Sequence, residues 1–310
     1  MLFIGVPHFP PLIQNPFSKQ RSTVIADLAI PNMVVFELPA NLAGNSNLNM
    51  QLRTVIATRY VTPLREGGSL PAIIEADDDG MYVLKFSGAG QGPKALIAEL
   101  IAGELARAIG LPVPEIVFVH LDPDLARTEP DPEIQELIRS SAGLNLALDY
   151  LPGSVGFDPV ADNLDQDLAS GVVWFDAYVT NVDRTPRNTN ILMWHRRPWL
   201  IDHGAALYFH HKWDGYHERA RDPFPMIKDH VLLRFAKSLP QADEKLHRLV
   251  TLEVVEAITG LIPDEWLAGE TALGGAGRYR QAYREYLLSR VELPRSFVQE
   301  AIRARGSLYV

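Results

Sequence analysis

Short runs of apolar residues, rich in β-branched and aromatic side chains, predict β-strands in the first half of the chain. Residues 72–76 and 81–86 are rich in β-branched and aromatic side chains, and the sequence DDDG between them predicts the turn of a β-hairpin. Residues 115–121 and 144–151 show the same enrichment and predict two further strands. The first half of the chain is therefore expected to be rich in strands.

Apolar residues repeat every three or four positions in other segments, which is the spacing of one helix face. Residues 94–109 show it clearly, with Pro93 at the expected first turn and Gly110 at the expected end. The remaining predicted elements are a helix at 165–181, a hairpin of 191–194 and 199–202 with its turn at 196–198, and helical stretches near 228–239, 243–260, 276–291 and 294–305.

Strands and helices are thus segregated along the chain, which favours an α+β fold with two lobes over a doubly wound sheet. Residues 1–49 differ from both parts. Early prolines and the run NLAGNSNLN predict a loosely ordered N-terminal extension. The alternative is an over-long start, with translation beginning at Met50, and we assign this segment no function.

Composition excludes several classes of protein and site. The 310 residues include no cysteine, which excludes disulfides and cysteine-based zinc sites, and the formal net charge of −9 argues against a broad nucleic-acid surface. No stretch approaches the roughly 18 apolar residues of a membrane span. The sequence up to Pro7 lacks the basic start of a signal peptide. We therefore expect a cytoplasmic protein without a membrane span.

The strongest chemical signal combines two short motifs, NVDRTPRN at 181–188 and LIDHG at 200–204. Asp183 and Asn188 are five residues apart after a predicted helix, and Asp202 ends the next predicted strand before a glycine. Protein kinases use this arrangement: one Asp accepts the proton of the substrate hydroxyl, while an Asn and a second Asp bind Mg²⁺. A hairpin between Asn188 and Asp202 would bring both side chains to one ion.

A lysine inside an apolar strand is the second signal. Lys85 lies in the sequence YVLKF, and its side chain points away from the face of its apolar neighbours. In kinases such a lysine contacts the nucleotide phosphates and is held by a Glu on the following helix. Glu99 is the candidate partner, and Glu104 is the alternative on a face expected to be more exposed.

Two glycine-containing loops are candidates for binding phosphates through their backbone N–H groups. The first contains Gly67, Gly68 and Ser69, directly before the predicted hairpin. The second has the sequence GAGQG at 88–92 and opens the first predicted helix. The sequence leaves open which loop holds the phosphates.

Asp149, Tyr150 and Leu151 lie between the two parts of the chain, where kinases place a hinge whose backbone binds adenine. These residues are therefore candidates for nucleotide binding. A histidine-based metal site is not expected, because four histidines lack an established ligand spacing: His203, His210, His211 and His217.

These residues resemble the HipA-like kinase family, which is distantly similar to phosphoinositide lipid kinases and to protein kinases. The resemblance covers roughly residues 50–235. It is carried by YVLKF, the helix with Glu99 that ends in GLPVP, NVDRTPRN and LIDHG. Arg184 follows the catalytic Asp, whereas an Arg precedes it in ordinary protein kinases, and this order is similar to HipA-like and lipid kinases. His203 stands where protein kinases have the Phe of Asp-Phe-Gly.

The resemblance implies a two-lobed, protein-kinase-like fold. Residues 50–151 would form a strand-rich, nucleotide-binding N-lobe. Residues 152–310 would form a mainly helical C-lobe with the catalytic loop and the metal-binding Asp.

The resemblance also implies an ATP- and Mg²⁺-dependent phosphotransferase that acts on a hydroxyl group, with protein Ser or Thr as the expected acceptor and a lipid or small molecule as the variant. The implied roles are Asp183 as base, Lys85 on phosphate, and Asn188 and Asp202 on Mg²⁺, with Asn190 as the alternative to Asn188. Arg184 is the further candidate catalytic residue, beside Asp183. Toxins of the family pair with a DNA-binding antitoxin, and the sequence indicates no such partner.

Two rival functions remain at this point. Strand 81–86, loop 88–92, helix 94–109 and strand 115–121 mimic the βαβ unit of a dinucleotide-binding oxidoreductase, although the glycine spacing G-x-G-x-G differs from the usual fingerprint. The second rival is a pseudokinase, a nucleotide-binding interaction module without transfer. The intact acidic set argues for activity.

Overall fold

The strands of the first half of the chain close into a barrel. The computed structural model describes residues 50–64, 70–90 and 92–309, all of which belong to one compact unit. The barrel has the strand order β1-β2-β3-β5-β4. Its strands are β1 Thr54–Pro63, β2 Ala72–Ala76, β3 Met81–Lys85, β4 Ile116–Leu121 and β5 Gly143–Asp149. The extension expected at residues 1–49 lies outside the described residues.

The predicted hairpin forms β2 and β3, whose register pairs Ile74 with Tyr82. Alternate side chains of the strands point into the barrel, where Ile74, Leu84 and Val117 are fully buried. Strand β1 closes the barrel by pairing in parallel with β4. The sequence did not predict β1, because two register shifts against β2 break its alternation of buried and exposed residues.

The barrel topology contradicts the dinucleotide-binding alternative. Strands β3 and β4 lie on either side of β5, and both run antiparallel to it. A dinucleotide-binding fold instead places successive strands in a mostly parallel sheet. The segment that mimics a βαβ unit is therefore part of an antiparallel barrel wall.

Helix α1 (Pro93–Ala108) packs between the barrel and the helical part of the chain. Its N-cap is Gly92, whose φ of 64° suits glycine, and Pro93 occupies the first turn. It contacts β4 and β5 on one side and the later helices α6 (Leu252–Gly260) and α7 (Asp264–Leu267) on the other. Nearly every side chain of α1 is therefore buried, including the polar ones.

The segment between β4 and β5 contains structure that the sequence analysis left out. A 3-10 helix spans Pro123–Thr128, and helix α2 spans Pro132–Ser140. Helix α2 begins with a cap, because a carboxylate oxygen of Asp131 accepts a hydrogen bond from the Glu133 N–H. Its few apolar residues, Ile134, Leu137 and Ile138, pack against the barrel core.

A second sheet, of three strands, follows the barrel. Strand β6 spans Val155–Gly156, β7 spans Ile191–Trp194 and β8 spans Arg197–Leu200. The turn predicted at 196–198 lies slightly too late, because the chain reverses at His195 and Arg196. Both residues have positive φ, as a two-residue hairpin turn requires. Pro198 lies inside β8, an edge strand that tolerates the missing N–H.

The rest of the described chain is mainly helical. The remaining helices are α3 Gln166–Val179, α4 Tyr216–Arg219, α5 Leu239–Leu246, α8 Ala276–Val291 and α9 Ser296–Gly306. The helix predicted near 228–239 was wrong: a 3-10 helix at Pro225–Asp229 and turns fill this region. The single helix predicted at 243–260 is two, because α5 ends at Leu246 and Thr251 caps α6 with a hydrogen bond from the Val254 N–H.

No helix in the described part of the chain combines the length and the apolar character needed to cross a membrane.

Candidate active site

A buried lysine joins the barrel to two carboxylates from distant parts of the chain. Lys85 ends β3, Glu99 lies in the middle of α1, and Asp202 follows β8. The Nζ atom of Lys85 lies 2.6 Å from Oε2 of Glu99 and 2.5 Å from Oδ1 of Asp202. The side chain of Glu99 is fully buried, whereas that of Asp202 is 42% exposed. This cluster therefore has one open side, at Asp202.

Two groups of the cluster, Lys85 and Glu99, have pKa values shifted by their surroundings. Burial would lower the pKa of Lys85, but Glu99 and Asp202 outweigh it and raise this pKa above its ordinary value. Burial would raise the pKa of Glu99, but Lys85 and His203 outweigh it and hold this pKa well below its usual range. Lys85 and Glu99 are therefore both charged at neutral pH. Glu104, expected to be more exposed, is buried and pairs with Arg107, so Glu99 is the glutamate of α1 that contacts Lys85.

The segment after β8 fits closely against α1. Asp202 has a left-handed backbone with a φ of 54°. His203 is completely buried, and its Nδ1 lies 3.4 Å from the second carboxylate oxygen of Glu99, Oε1. A Cβ placed on Gly204 would lie 3.6 Å from the carbonyl oxygen of Ala95, in the first turn of α1. The sequence LIDHG thus packs on the helix that carries Glu99.

A second polar cluster surrounds Asp183, in the loop after α3. Oδ2 of Asp183 accepts a hydrogen bond of 2.7 Å from Nδ2 of Asn188 and a longer one of 3.4 Å from Nδ2 of Asn190. The backbone N–H of Asp183 donates to Oδ1 of Asn181. Asn188 is exposed and Asn190 is buried. Both candidate amides therefore contact the same carboxylate.

Arg184 binds the loop of Asp183 to the segment that leads to Asp202. Its side chain is fully buried, and its Nε lies 2.6 Å from Oδ2 of Asp176 on α3. The same guanidinium donates to the backbone carbonyls of Asn190 and Ile201, the latter at 3.3 Å. Arg184 therefore fixes backbone, and its buried side chain does not face solvent.

The β7–β8 hairpin brings the two clusters to the same end of a small sheet. Asn190 precedes β7 and Asp202 lies just beyond β8, and the first pair of the hairpin is Ile191 with Leu200. The Ile201 N–H donates to the Asn190 carbonyl at 3.0 Å. Like Asp202, Asn190 has positive φ. The structure thus brings six predicted site residues to one region: Lys85, Glu99, Asp183, Asn188, Asn190 and Asp202.

The predicted hinge lies at the end of barrel strand β5. The Asp149 N–H donates to the Glu115 carbonyl at 2.8 Å, and the Tyr150 N–H donates to the Met81 carbonyl at 3.0 Å. Burial raises the pKa of Asp149, and Leu151 is buried. The N–H groups of Asp149 and Tyr150 are therefore engaged in hydrogen bonds inside the protein.

Of the two glycine loops, the structure describes only residues of the second. Gly67, Gly68 and Ser69 lie outside the described residues. In the second loop the Gly88 N–H donates to Oγ of Ser141 and the Gly92 N–H donates to the Ala89 carbonyl. These two N–H groups of the second loop are thus used inside the chain.

Sequence reasoning missed a buried polar network beneath the loop of Asp183. Its centre is Asp176, which binds Arg184, Nδ2 of Asn181 at 3.0 Å and Nε2 of His230 at 2.8 Å. Burial would raise the pKa of Asp176, but Arg184 and His230 hold it well below its usual range. A carboxylate inside the apolar helix sequence VVWFDAYV was the signal available.

The described histidines belong to no cluster of three or more potential metal ligands. Within residues 50–64, 70–90 and 92–309, no group of three or more His, Cys, Asp and Glu side chains is arranged to hold an ion. His210 is instead buried, with Nδ1 2.9 Å from the hydroxyl of Tyr283. A cation in this part of the chain would therefore need amide, nucleotide or water oxygens besides carboxylates.

Comparisons with known proteins give one family and several structural neighbours. The model of the family described as HipA-like kinase matches residues 57–295. The chain is similar to the proinflammatory kinase CtkA of Helicobacter pylori, with 12% identity, a TM-score of 0.48, and coverage of 84% of this chain and 99% of that one.

The chain is also similar to the Golgi casein kinase, with 12% identity, a TM-score of 0.40, and coverage of 84% of this chain and 75% of that one. A structure of the Golgi casein kinase with Mn/ADP bound gives 13% identity, a TM-score of 0.41 and the same coverages. No curated protein matches the chain significantly.

Proposed function

Because the chain belongs to the HipA-like kinase family of kinase-type phosphotransferases, we propose that it transfers the γ-phosphate of ATP to a hydroxyl group with the help of Mg²⁺. The observation that carries this proposal is the contact of Lys85 with both Glu99 and Asp202. A lysine held by a helix glutamate beside a metal-binding aspartate is the arrangement that kinases use to position a triphosphate.

Lys85 is proposed to contact the nucleotide phosphates. Its charge is maintained by the two carboxylates although its side chain is only 12% exposed. We assign residues 50–151 as an N-lobe that binds the nucleotide and residues 152–310 as a C-lobe that carries Asp183 and Asp202. The adenine would lie beside the segment from Asp149 to Leu151.

Asp183 is proposed as the base. Its Oδ2 is held by Asn188, which leaves Oδ1 to face the acceptor hydroxyl. As the hydroxyl oxygen forms its bond to the γ-phosphorus, the bond from that phosphorus to the β–γ bridging oxygen breaks. The hydroxyl proton moves to Asp183, and ADP leaves with the electron pair of the broken bond.

The donor atoms present fit a hard divalent cation. Nδ2 of Asn188 is bound to Asp183 and Oδ1 of Asp202 is bound to Lys85, so Oδ1 of Asn188 and Oδ2 of Asp202 are the oxygens that would hold Mg²⁺. Two protein oxygens are enough for Mg²⁺, which usually completes its shell with phosphates and waters. When bound, the ion neutralises charge on the transferring phosphoryl group.

Arg184 takes a positioning role in this proposal instead of the catalytic role that the sequence predicts. Its guanidinium is buried and binds the backbone of Asn190 and Ile201. Arg184 would therefore act by keeping Asp183 and Asp202 in register.

The proposed acceptor is a Ser or Thr hydroxyl of a protein. To test this, purified protein is incubated with γ-labelled ATP and Mg²⁺, alone and with cell lysate, beside the Asp202→Asn variant. We expect label in protein, and none with the variant. Label in lipid or a metabolite would keep the phosphotransferase and change the acceptor, whereas ATP binding without any label would favour the pseudokinase.

A further inference from the structure

Glu99 uses its two carboxylate oxygens for two different partners. Oε2 binds Lys85 at 2.6 Å, and Oε1 faces Nδ1 of His203 at 3.4 Å. Both Glu99 and His203 have side chains with 0% exposure. Because neither group can exchange its partner for water, the orientation of the carboxylate depends on both contacts.

His203 lies between α1, α3 and the segment of Asp202. It directly follows Asp202, and its ring lies edge-on to Phe175 of α3, with ring centroids 6.2 Å apart. His203 contacts Glu99 of α1. Its neighbour in the chain, Asp202, carries the Oδ1 that binds Lys85. The His203 side chain thus contacts both α1 and α3, and its backbone adjoins Asp202.

Ordinary packing of a core histidine is the competing explanation, and the chain offers a direct comparison. His210 is also 0% exposed, and it too pairs one ring nitrogen while its Nε2 has no partner among the described residues. Its partner is the Tyr283 hydroxyl at 2.9 Å, not a group of the site. The distinguishing feature of His203 is therefore its contact with the carboxylate that holds Lys85.

We propose that His203 is a positioning residue: by engaging Oε1 of Glu99, it keeps Oε2 on Lys85 and locks the loop of Asp202 against α1. In this chain the contact of His203 with Glu99 would replace the packing of the Phe that protein kinases have after the metal-binding Asp. The proposal deepens the proposed function and rests on it, because its effect on rate presumes phosphotransfer.

Two substitutions separate the hydrogen bond from the packing. In His203→Asn the amide nitrogen replaces Nδ1, whereas His203→Leu fills similar space without a donor. We expect kcat per folded molecule to fall about ten- to a hundredfold in the Leu variant, as for other partners that orient groups around a metal site. The Asn variant should stay within about threefold of wild type, because the donor to Glu99 is kept.

The His210→Leu and His210→Asn variants are the matched controls. Both should lower the melting temperature and leave kcat per folded molecule unchanged, since His210 does not contact Glu99. A wild-type kcat in His203→Leu, or equal losses in His203→Leu and His203→Asn, would overturn the positioning role.

A second readout does not depend on phosphotransfer. Acetylation of Lys85 by acetic anhydride is measured by mass spectrometry against the exposed Lys228 as internal reference. We expect Lys85 to react several times faster in His203→Leu than in wild type or His203→Asn, because Glu99 no longer has a fixed orientation. Equal reactivity in all three proteins would overturn the inference even if wild type transfers phosphate. Inactive wild type with the expected reactivity pattern would instead contradict the proposed function alone.

Discussion

The Nζ atom of Lys85 lies 2.5 Å from Oδ1 of Asp202, although the two residues are 117 positions apart in the chain. Lys85 belongs to the closed barrel, and Asp202 follows a hairpin of a separate small sheet. Their contact places the predicted phosphate-binding cation beside the predicted metal-binding carboxylate. This relationship carries the assignment of the site, because each residue alone would suit an ordinary strand end.

Removal of Lys85 should destabilise the protein as well as inactivate it. Lys85→Met leaves the fully buried Glu99 without its main counter-charge, and breaking a buried ion pair from one side costs about 3 kcal/mol or more. Urea unfolding measures this loss. The control Arg248→Met breaks an exposed pair with Glu244 and should change the free energy of unfolding by less than about 0.5 kcal/mol. Equal effects of the two variants would contradict the buried pairing.

Substitutions of Asn188 and Asn190 should differ in their effect on the Mg²⁺ requirement of activity. If Oδ1 of Asn188 holds the metal, Asn188→Ala raises the Mg²⁺ concentration for half-maximal activity at least about tenfold. Asn190→Ala places alanine at a φ of 48°, which costs about 1 kcal/mol or more of stability, and leaves the Mg²⁺ requirement unchanged. Titration of activity with Mg²⁺ separates the two. The reverse pattern would assign the metal to Asn190.

Arg184 should tolerate no conservative replacement. Lysine keeps the charge but cannot reach Asp176 and two carbonyl groups at once, as the planar guanidinium does. We expect Arg184→Lys to lower kcat strongly, with the KM for ATP changed less. The exposed Arg187 in the same loop is the control, and Arg187→Lys should retain wild-type kcat. A fully active Arg184→Lys protein would rule out the positioning role.

Stability should fall in two steps as the pH decreases. Burial lowers the pKa of His210 and of His230 from the ordinary value of 6.5, so the unfolded chain takes up protons there more readily than the folded one. The free energy of unfolding should therefore drop below about pH 6.5. Glu99 and Asp176 have lowered pKa values, so a second loss should begin near pH 4.5, where these carboxylates bind protons on unfolding.

Urea unfolding at pH 8, 6 and 5 measures the first step. His210→Leu removes one of the two histidines and should reduce the change in the free energy of unfolding between pH 8 and 5. The same change in wild type and variant would mean that His210 does not contribute.

Local sequence signals predicted several elements correctly. The β2–β3 hairpin occurs as expected because its β-branched and aromatic residues agree with the turn residues between them. Helix α8 occurs at the predicted 276–291, although no side chain caps its N-terminus. Strand β1 and helix α2 were missed, since irregular pairing obscures the first and a short apolar face obscures the second. The break between α5 and α6 was missed although Thr251 is a good N-cap residue.

Motif spacing indicated which site residues to consider, but not what each contacts. Lys85, Glu99 and Asp202 follow from the motifs, whereas the network of Asp176 depends on tertiary packing that brings His230 onto α3. The contact between Glu99 and His203 has the same origin, because a buried partner cannot be inferred from spacing alone.

The most direct test of the central claim is γ-phosphate transfer by Asp183→Asn, measured beside its affinity for ATP with Mg²⁺. The exposed Asp167→Asn is the matched control. We predict that Asp183→Asn binds ATP like wild type and transfers phosphate about 10²- to 10⁴-fold more slowly, as expected for loss of a general base, while Asp167→Asn is unchanged. Transfer by Asp183→Asn at the wild-type rate would contradict the account.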